Sequence, residues 1–163
     1  KEERPVTAEL FVPETREFSA VPRQHWSVTA EDIQHDFNNP DVRVFDARSS
    51  DRFHGENETL DPVAGHIPGA TCAPFLDNLD SEGNWKSKSE LRRMYEKLLD
   101  GSSAEQSVTY CGSGVTACHN ILAMFYAGLG NSRLYSGSWS DWITNPERPV
   151  VNRNFPPVDQ LCA

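Results

Sequence analysis

The sequence has no run of apolar residues long enough to cross a bilayer as a helix, which takes about 18 or more in succession. It is short of cationic residues, with 15 Lys and Arg against 24 Asp and Glu and a formal net charge of -9. That balance argues against a nucleic-acid partner, because phosphate binding draws on a basic surface. Neither nucleic acid nor a membrane is expected as a partner. No C-x-x-C pair occurs, and Cys72, Cys111, Cys118 and Cys162 are irregularly spaced and match no zinc pattern. Four cysteines in 163 residues are too sparse for a disulfide-stapled secreted scaffold. Reduced thiols are expected, with no metal and no cofactor. There is no internal repeat, no secretory apolar stretch and no initiator Met ahead of Lys1. The chain is therefore read as cytoplasmic and as a piece of something longer.

What is present is enough for one packed domain. Residues 1–24 carry Pro5, Pro13 and Pro22 among charged residues without a sustained period, and read as a linker or extended arm. Residues 151–163, with Pro156 and Pro157, read as an irregular tail. Between them, residues 25–150 alternate strand and helix patterns. Thr29 and Asp32 open a short helix carrying Ile33 and Phe37, and Val42 to Asp46 is strand-like. Ser87 and Glu90 form a capping box ahead of Leu91, Met94, Tyr95, Leu98 and Leu99, with Gly101 at the C′ position. Ser107 to Tyr110 is a strand. Ala117, Ile121, Leu122, Phe125 and Leu129 mark a further helix closed by Gly128 or Gly130, and Arg133 to Tyr135 a last strand. This alternation predicts an α/β domain with a mainly parallel sheet and helices on both faces.

The chemistry concentrates where the strand ending at Tyr110 runs into Cys111-Gly112-Ser113-Gly114-Val115-Thr116. In open α/β sheets ligands sit beyond the carboxyl ends of the strands. The glycines let the backbone curl with its N–H groups inward, and the next helix turns its positive end to the same place. Such a setting lowers a thiol pKa and favours the nucleophilic thiolate. Cys111 is thus the candidate nucleophile, against the alternative of an inert cysteine in a β-α turn. Cys72 and Cys118 have no such setting and read as core residues, and Cys162 as incidental. A cysteine phosphatase would need Arg at the position of Ala117 to grip phosphate, and no Gly-Lys-Ser/Thr follows to make a P-loop.

Four segments in this order resemble the rhodanese superfamily, and within it the C-terminal catalytic domain of tandem-domain thiosulfate and 3-mercaptopyruvate sulfurtransferases. They are Asp46-Ala47-Arg48 with Arg52-Phe53, Gly65-His66-Ile67-Pro68-Gly69-Ala70, Cys111-Gly-Ser-Gly-Val-Thr116, and Tyr135-Ser-Gly-Ser-Trp139-Ser-Asp-Trp142. The resemblance implies a three-layer α/β/α rhodanese-like domain around a five-stranded, mainly parallel sheet. It implies a sulfurtransferase that moves a sulfane sulfur from a small anionic donor, 3-mercaptopyruvate or thiosulfate, through a Cys111 persulfide. The acceptor it implies is a thiol or cyanide, with a thioredoxin-like reductant as a candidate partner. The loop Gly112, Gly114, Val115 and Thr116 would hold the persulfide and substrate, and Ser113 would handle a proton or else satisfy the turn. Arg52 would bind the donor's anionic end, a local cation that the acidic surface makes necessary. Arg48 ranks below it, being equally readable as tied to an acidic neighbour. His66 reads as shaping its Pro-Gly turn, Trp139 and Trp142 as packing at the domain edge, and His119 as structural.

Two departures accompany the resemblance. Residues 54–64 contain no arginine, where mercaptopyruvate enzymes of the family carry a second one. The tandem relatives also have an N-terminal rhodanese domain, which this sequence lacks. The rival reading is a non-catalytic rhodanese-like module used for binding or regulation.

Overall fold

The computed structural model describes residues 4–152; Cys162 and all but the first two positions of the expected tail lie outside them. Residues 4–22 form neither helix nor strand and lie exposed. The domain then runs α1 (Ala30–His35), β1 (Arg43–Asp46), α2 (Ser50–Phe53), β2 (Thr71–Cys72), α3 (Lys88–Leu99), β3 (Ser107–Tyr110), α4 (Ala117–Tyr126), β4 (Arg133–Leu134) and α5 (Ser138–Trp142). Single 3-10 turns precede α1, α3 and β3. No helix among the described residues is long and apolar enough to cross a membrane.

Local sequence sets the helix ends. Thr29 and Ser87 each accept from the amide three residues on, while Asp32 and Glu90 accept from the cap amides, completing two capping boxes. At the end of α3, Asp100 and Gly101 both turn left-handed, which stops the helix.

The sheet has four strands in the order β2-β1-β3-β4, all paired in parallel. The expected five-stranded sheet is therefore wrong by one strand. Ser27 makes a single parallel bridge to Leu134, with the Val28 amide on the Leu134 carbonyl at 3.0 Å. Thr29 caps α1 immediately afterwards, so the chain leaves the sheet edge before a strand can form.

Side chains from the two faces of the sheet enter different clusters. Phe45 packs with Leu91, Tyr95 and Leu99 of α3 and with Ala123 and Met124 of α4. Val108 and Tyr110 pack with Ile33 of α1 and with Trp139 and Trp142 of α5. Burying a side chain such as Leu91 fully is worth roughly 1.5–3 kcal/mol. Trp139 and Trp142 are completely buried in this cluster, so they serve as packing residues, as expected.

Helix α4 corrects two further expectations. Its buried residues are Ala117, Asn120, Ala123 and Met124, whereas Leu122 and Phe125 are more than half exposed. Small side chains let this helix lie close to the sheet, and Asn120 is secured by donating to the Ala73 carbonyl at 2.7 Å. Cys118, on the outer face, is exposed and not a core residue, while Cys72 is half-buried.

The chain order defines where a site can form. From β1 the chain passes outward to β2, then crosses to the other side of β1 to make β3. The loops leaving β1 and β3 thus diverge, opening the crevice at a topological switch point where α/β sheets bind ligands. Arg48 and Arg52 follow β1, and Cys111 follows β3.

Candidate active site

Cys111 lies at that crevice, with only 2% of its surface exposed. Burial by itself raises its thiol pKa. Hydrogen bonds from the Thr116 hydroxyl and from the amides of Ala117, Ser113 and Gly114 outweigh it, and the net direction is downward. Ala117 is the first residue of α4, so one of these donors belongs to the open end of a ten-residue helix. The Ala117 side chain is buried against Cys111 and Ala47, and nothing cationic stands where a phosphatase would hold its arginine.

The loop is clamped by the segment from Tyr135 to Ser140. The Cys111 amide donates to the Ser138 hydroxyl at 3.1 Å, and the Trp139 amide donates to the Cys111 carbonyl at 2.9 Å. The Ser140 amide reaches the Gly112 carbonyl at 3.0 Å. Gly114 has φ +83, and a Cβ there would stand 2.7 Å from the Ser136 carbonyl oxygen. Only glycine fits that approach. Val115 is 73% exposed, and Ser113 is exposed with its hydroxyl making no hydrogen bond among the described residues.

The two arginines after β1 differ sharply. Arg48 is buried, its Nε on both Asp46 oxygens, its Nη2 on Asp46 and the Gly65 carbonyl at 2.6 Å each, and its Nη1 3.3 Å from Glu58. Its guanidinium also lies over the Trp139 ring, 4.6 Å from the centroid. Every nitrogen is engaged by the protein, which ties the turn at Gly65 to β1. Arg52 instead faces the cysteine loop, with Nη1 and Nη2 3.6 and 3.7 Å from where a Cβ on Gly112 would be. Its Nε and Nη2 bind Glu58 at 2.9–3.1 Å, and Nη2 also binds Asp61 at 3.1 Å. Nη1 makes no hydrogen bond among the described residues.

The remaining sequence candidates lie at a distance in role. His66 stacks on Phe53 with centroids 3.7 Å apart, and its Nδ1 donates to the Phe53 carbonyl at 2.8 Å. The Tyr110 hydroxyl accepts from the Ile67 amide at 3.2 Å, joining the same turn to β3. His119 stacks on Trp85 and accepts at Nδ1 from Asn78, and burial lowers its pKa. None of its ring's partners belongs to the cysteine loop. Glu58, Asp61, Ser138 and Ser140 were missed from sequence. Ser138 and Ser140 sit inside the Tyr135–Trp142 segment, whereas no local pattern marked the two acids. Among the described residues no group of three or more His, Cys, Asp or Glu is placed to hold a metal ion.

The model of the rhodanese-like domain matches residues 29–145. A probable 3-mercaptopyruvate sulfurtransferase of Pseudomonas aeruginosa is 48% identical over 135 residues, which cover 83% of this chain and 48% of that protein. The mouse 3-mercaptopyruvate sulfurtransferase is 39% identical over 85% of the chain, and a chicken thiosulfate sulfurtransferase 36% over 88%. The chain spans about half the length of these curated relatives. In fold it is similar to an anaerobic ergothioneine biosynthesis enzyme from Chlorobium limicola, with a TM-score of 0.70 at 21% identity over 80% of this chain and 32% of that one. With its cysteine loop at the switch point and these matches across most of its length, the chain belongs to the rhodanese-like family.

Proposed function

We propose that the chain is a sulfurtransferase domain carrying sulfur as a persulfide on Cys111. The carrying observation is the placement of Cys111, buried just beyond the carboxyl end of β3 with its backbone held by Ser138 and Trp139 and the start of α4 beside it. In that setting Thr116 and the amides of Ala117, Ser113 and Gly114 lower its thiol pKa despite burial. A cradle of donors suited to a thiolate suits a persulfide anion equally. Similarity to 3-mercaptopyruvate and thiosulfate sulfurtransferases supports a small anionic donor, 3-mercaptopyruvate or thiosulfate.

In the first half-reaction the Cys111 thiolate attacks the donor's terminal sulfur and forms an S–S bond. The donor's own bond to that sulfur breaks. Thiosulfate departs as sulfite; 3-mercaptopyruvate departs as an enolate that takes up the donor's thiol proton and becomes pyruvate. Exposed Ser113 is the group assigned to pass that proton. In the second half-reaction a thiolate, from a small thiol or a thioredoxin-like reductant, or cyanide attacks the outer sulfur and Cys111 leaves as thiolate. Gly112, Gly114, Val115 and Thr116 form the wall of the pocket, Arg52 meets the donor's charge, and Arg48 supports the turn behind it. The free thiols Cys72, Cys111 and Cys118 fit the reducing cytoplasm. The half-length match fits a second rhodanese domain as the partner in a tandem protein.

The test is intact-protein mass spectrometry after exposure to each donor. Gain of one sulfur atom, located on the Cys111 peptide and absent in Cys111→Ala, is the expected result. A folded protein that gains no sulfur from either donor is instead a binding module, and the proposal falls.

A further inference from the structure

We propose that Asp61 is a displaceable counter-ion on Arg52, and that it sets which donor charge the cysteine pocket accepts. The inference deepens the sulfurtransferase reading and rests on it for the identity of the donor.

Arg52 is a cation beside the loop, at Gly112. Two carboxylates hold it, and they are held very differently. Glu58 is 2% exposed and accepts from Arg52, from Arg48 and from the amides of Leu60 and Asp61. Removing it would strand several buried donors, so it is a fixed part of the frame. Asp61 is 11% exposed and bonds Arg52 through one oxygen only. Its other oxygen is met by the Ser140 hydroxyl at 2.8 Å, and that hydroxyl lies equally close to the Gly112 carbonyl. A hydroxyl has one proton, so Ser140 can turn from Asp61 to Gly112 without losing a bond.

Charge makes the exchange necessary. Around Arg52, the guanidinium groups of Arg48 and Arg52 face the carboxylates of Asp46, Glu58 and Asp61. The negative charges exceed the positive ones by one, so an incoming anion meets repulsion while Asp61 stays. If Asp61 swings away, Arg52 presents Nη2 and the unused Nη1 to a carboxylate or sulfo group next to Gly112. Asp61 therefore competes with the anionic end of the donor, and neutral molecules reaching Cys111 do not face that competition.

Two haloacetyl reagents read this charge without any sulfur transfer. Iodoacetate and iodoacetamide both alkylate the Cys111 thiolate, forming an S–C bond and releasing iodide, and they differ by one negative charge. Asp61→Asn is expected to raise the iodoacetate rate relative to iodoacetamide, measured on the Cys111 peptide, by about tenfold. It should raise kcat/KM for thiosulfate and 3-mercaptopyruvate by a similar factor, while Asp61→Glu, which keeps the charge, should not raise the iodoacetate-to-iodoacetamide ratio. A ratio that is unchanged or falls in Asp61→Asn overturns the inference, as does an equal change with both reagents, which marks a structural role. Absence of turnover with every variant, while the alkylation ratio still rises, overturns the sulfurtransferase reading and leaves the role of Asp61 standing.

Discussion

The backbone amide of Cys111 donates to the hydroxyl of Ser138, 27 residues later, at 3.1 Å. Ser138 in turn donates to the Tyr135 carbonyl at 2.9 Å, and it does so with φ at 56°, in the left-handed region. A non-glycine residue there costs about 1–2 kcal/mol. The cysteine loop is thus braced by a strained residue on a different segment.

Ser138→Ala keeps the strain and leaves the Cys111 amide without its buried acceptor, a loss of roughly 1–3 kcal/mol. Ser138→Gly loses the same hydrogen bond and relieves the strain. Thermal unfolding should therefore place the midpoint of Ser138→Ala below that of Ser138→Gly, with both below the parent. Persulfide formation should slow in both to a similar extent, because the lost tether is common to them. Equal midpoints for alanine and glycine would show that the left-handed turn carries no cost.

The Thr116 hydroxyl is the largest of the hydrogen bonds that lower the Cys111 thiol. Thr116→Val removes it while keeping the shape, so the thiol pKa should rise. The sign follows from which species reacts. A lowered pKa keeps Cys111 a thiolate at pH values below the range of an unperturbed cysteine, ~8.5. The parent's iodoacetamide rate should therefore be half-maximal below that value, and the Thr116→Val curve should move to higher pH. A valine variant whose curve overlays the parent would remove Thr116 from the cradle.

Glu58 is buried, which raises its pKa, but Arg52 and the amides of Leu60 and Asp61 reverse this and hold it below the usual carboxylate range. A carboxylate lowered by folding stabilises the fold above its unfolded pKa of ~4.3 and loses that contribution as pH falls through the folded value. Arg48→Met leaves Asp46 without its buried partner and Glu58 with one fewer donor, at about 3–5 kcal/mol. Chemical unfolding should show that loss at neutral pH, shrinking in acid as Glu58 protonates. A constant difference between pH 3 and 7 would contradict it.

Legibility followed the range of each interaction. The capping boxes at Thr29 and Ser87 and the stop at Gly101 are written within a few residues, and the structure has them where expected. The Cys111 loop was readable for the same reason, since its curl depends on the left-handed turn at Gly114. The buried face of α4 was misread because its anchor is Asn120, a polar residue satisfied by Ala73 and Asn78 from elsewhere in the chain. The fifth strand was carried over from the family, and the early capping of α1 at Thr29 leaves room for one bridge. Glu58, Asp61 and Ser138 act across loops, and no local pattern distinguishes them from solvated side chains.

Gly114 separates the two demands that a left-handed glycine can meet. Its φ of +83 alone would cost an alanine about 1–2 kcal/mol. Gly101, with φ +89 and nothing within 4 Å of a Cβ, faces only that cost. At Gly114 the added carbon would also meet the Ser136 carbonyl oxygen at 2.7 Å, a backbone atom in the segment that clamps the loop. The loop must then shift, and the Gly114 amide shifts with it away from Cys111. Misplacement by about 1 Å can cost on the order of 100-fold in rate. Gly101→Ala should accordingly lower stability without slowing persulfide formation, whereas Gly114→Ala should lower stability further and slow it by about two orders of magnitude. The thiol of Gly114→Ala should also titrate at higher pH than the parent, since one of its amide donors has moved. Two variants with matching rates would show that the approach to Ser136 does not position the nucleophile.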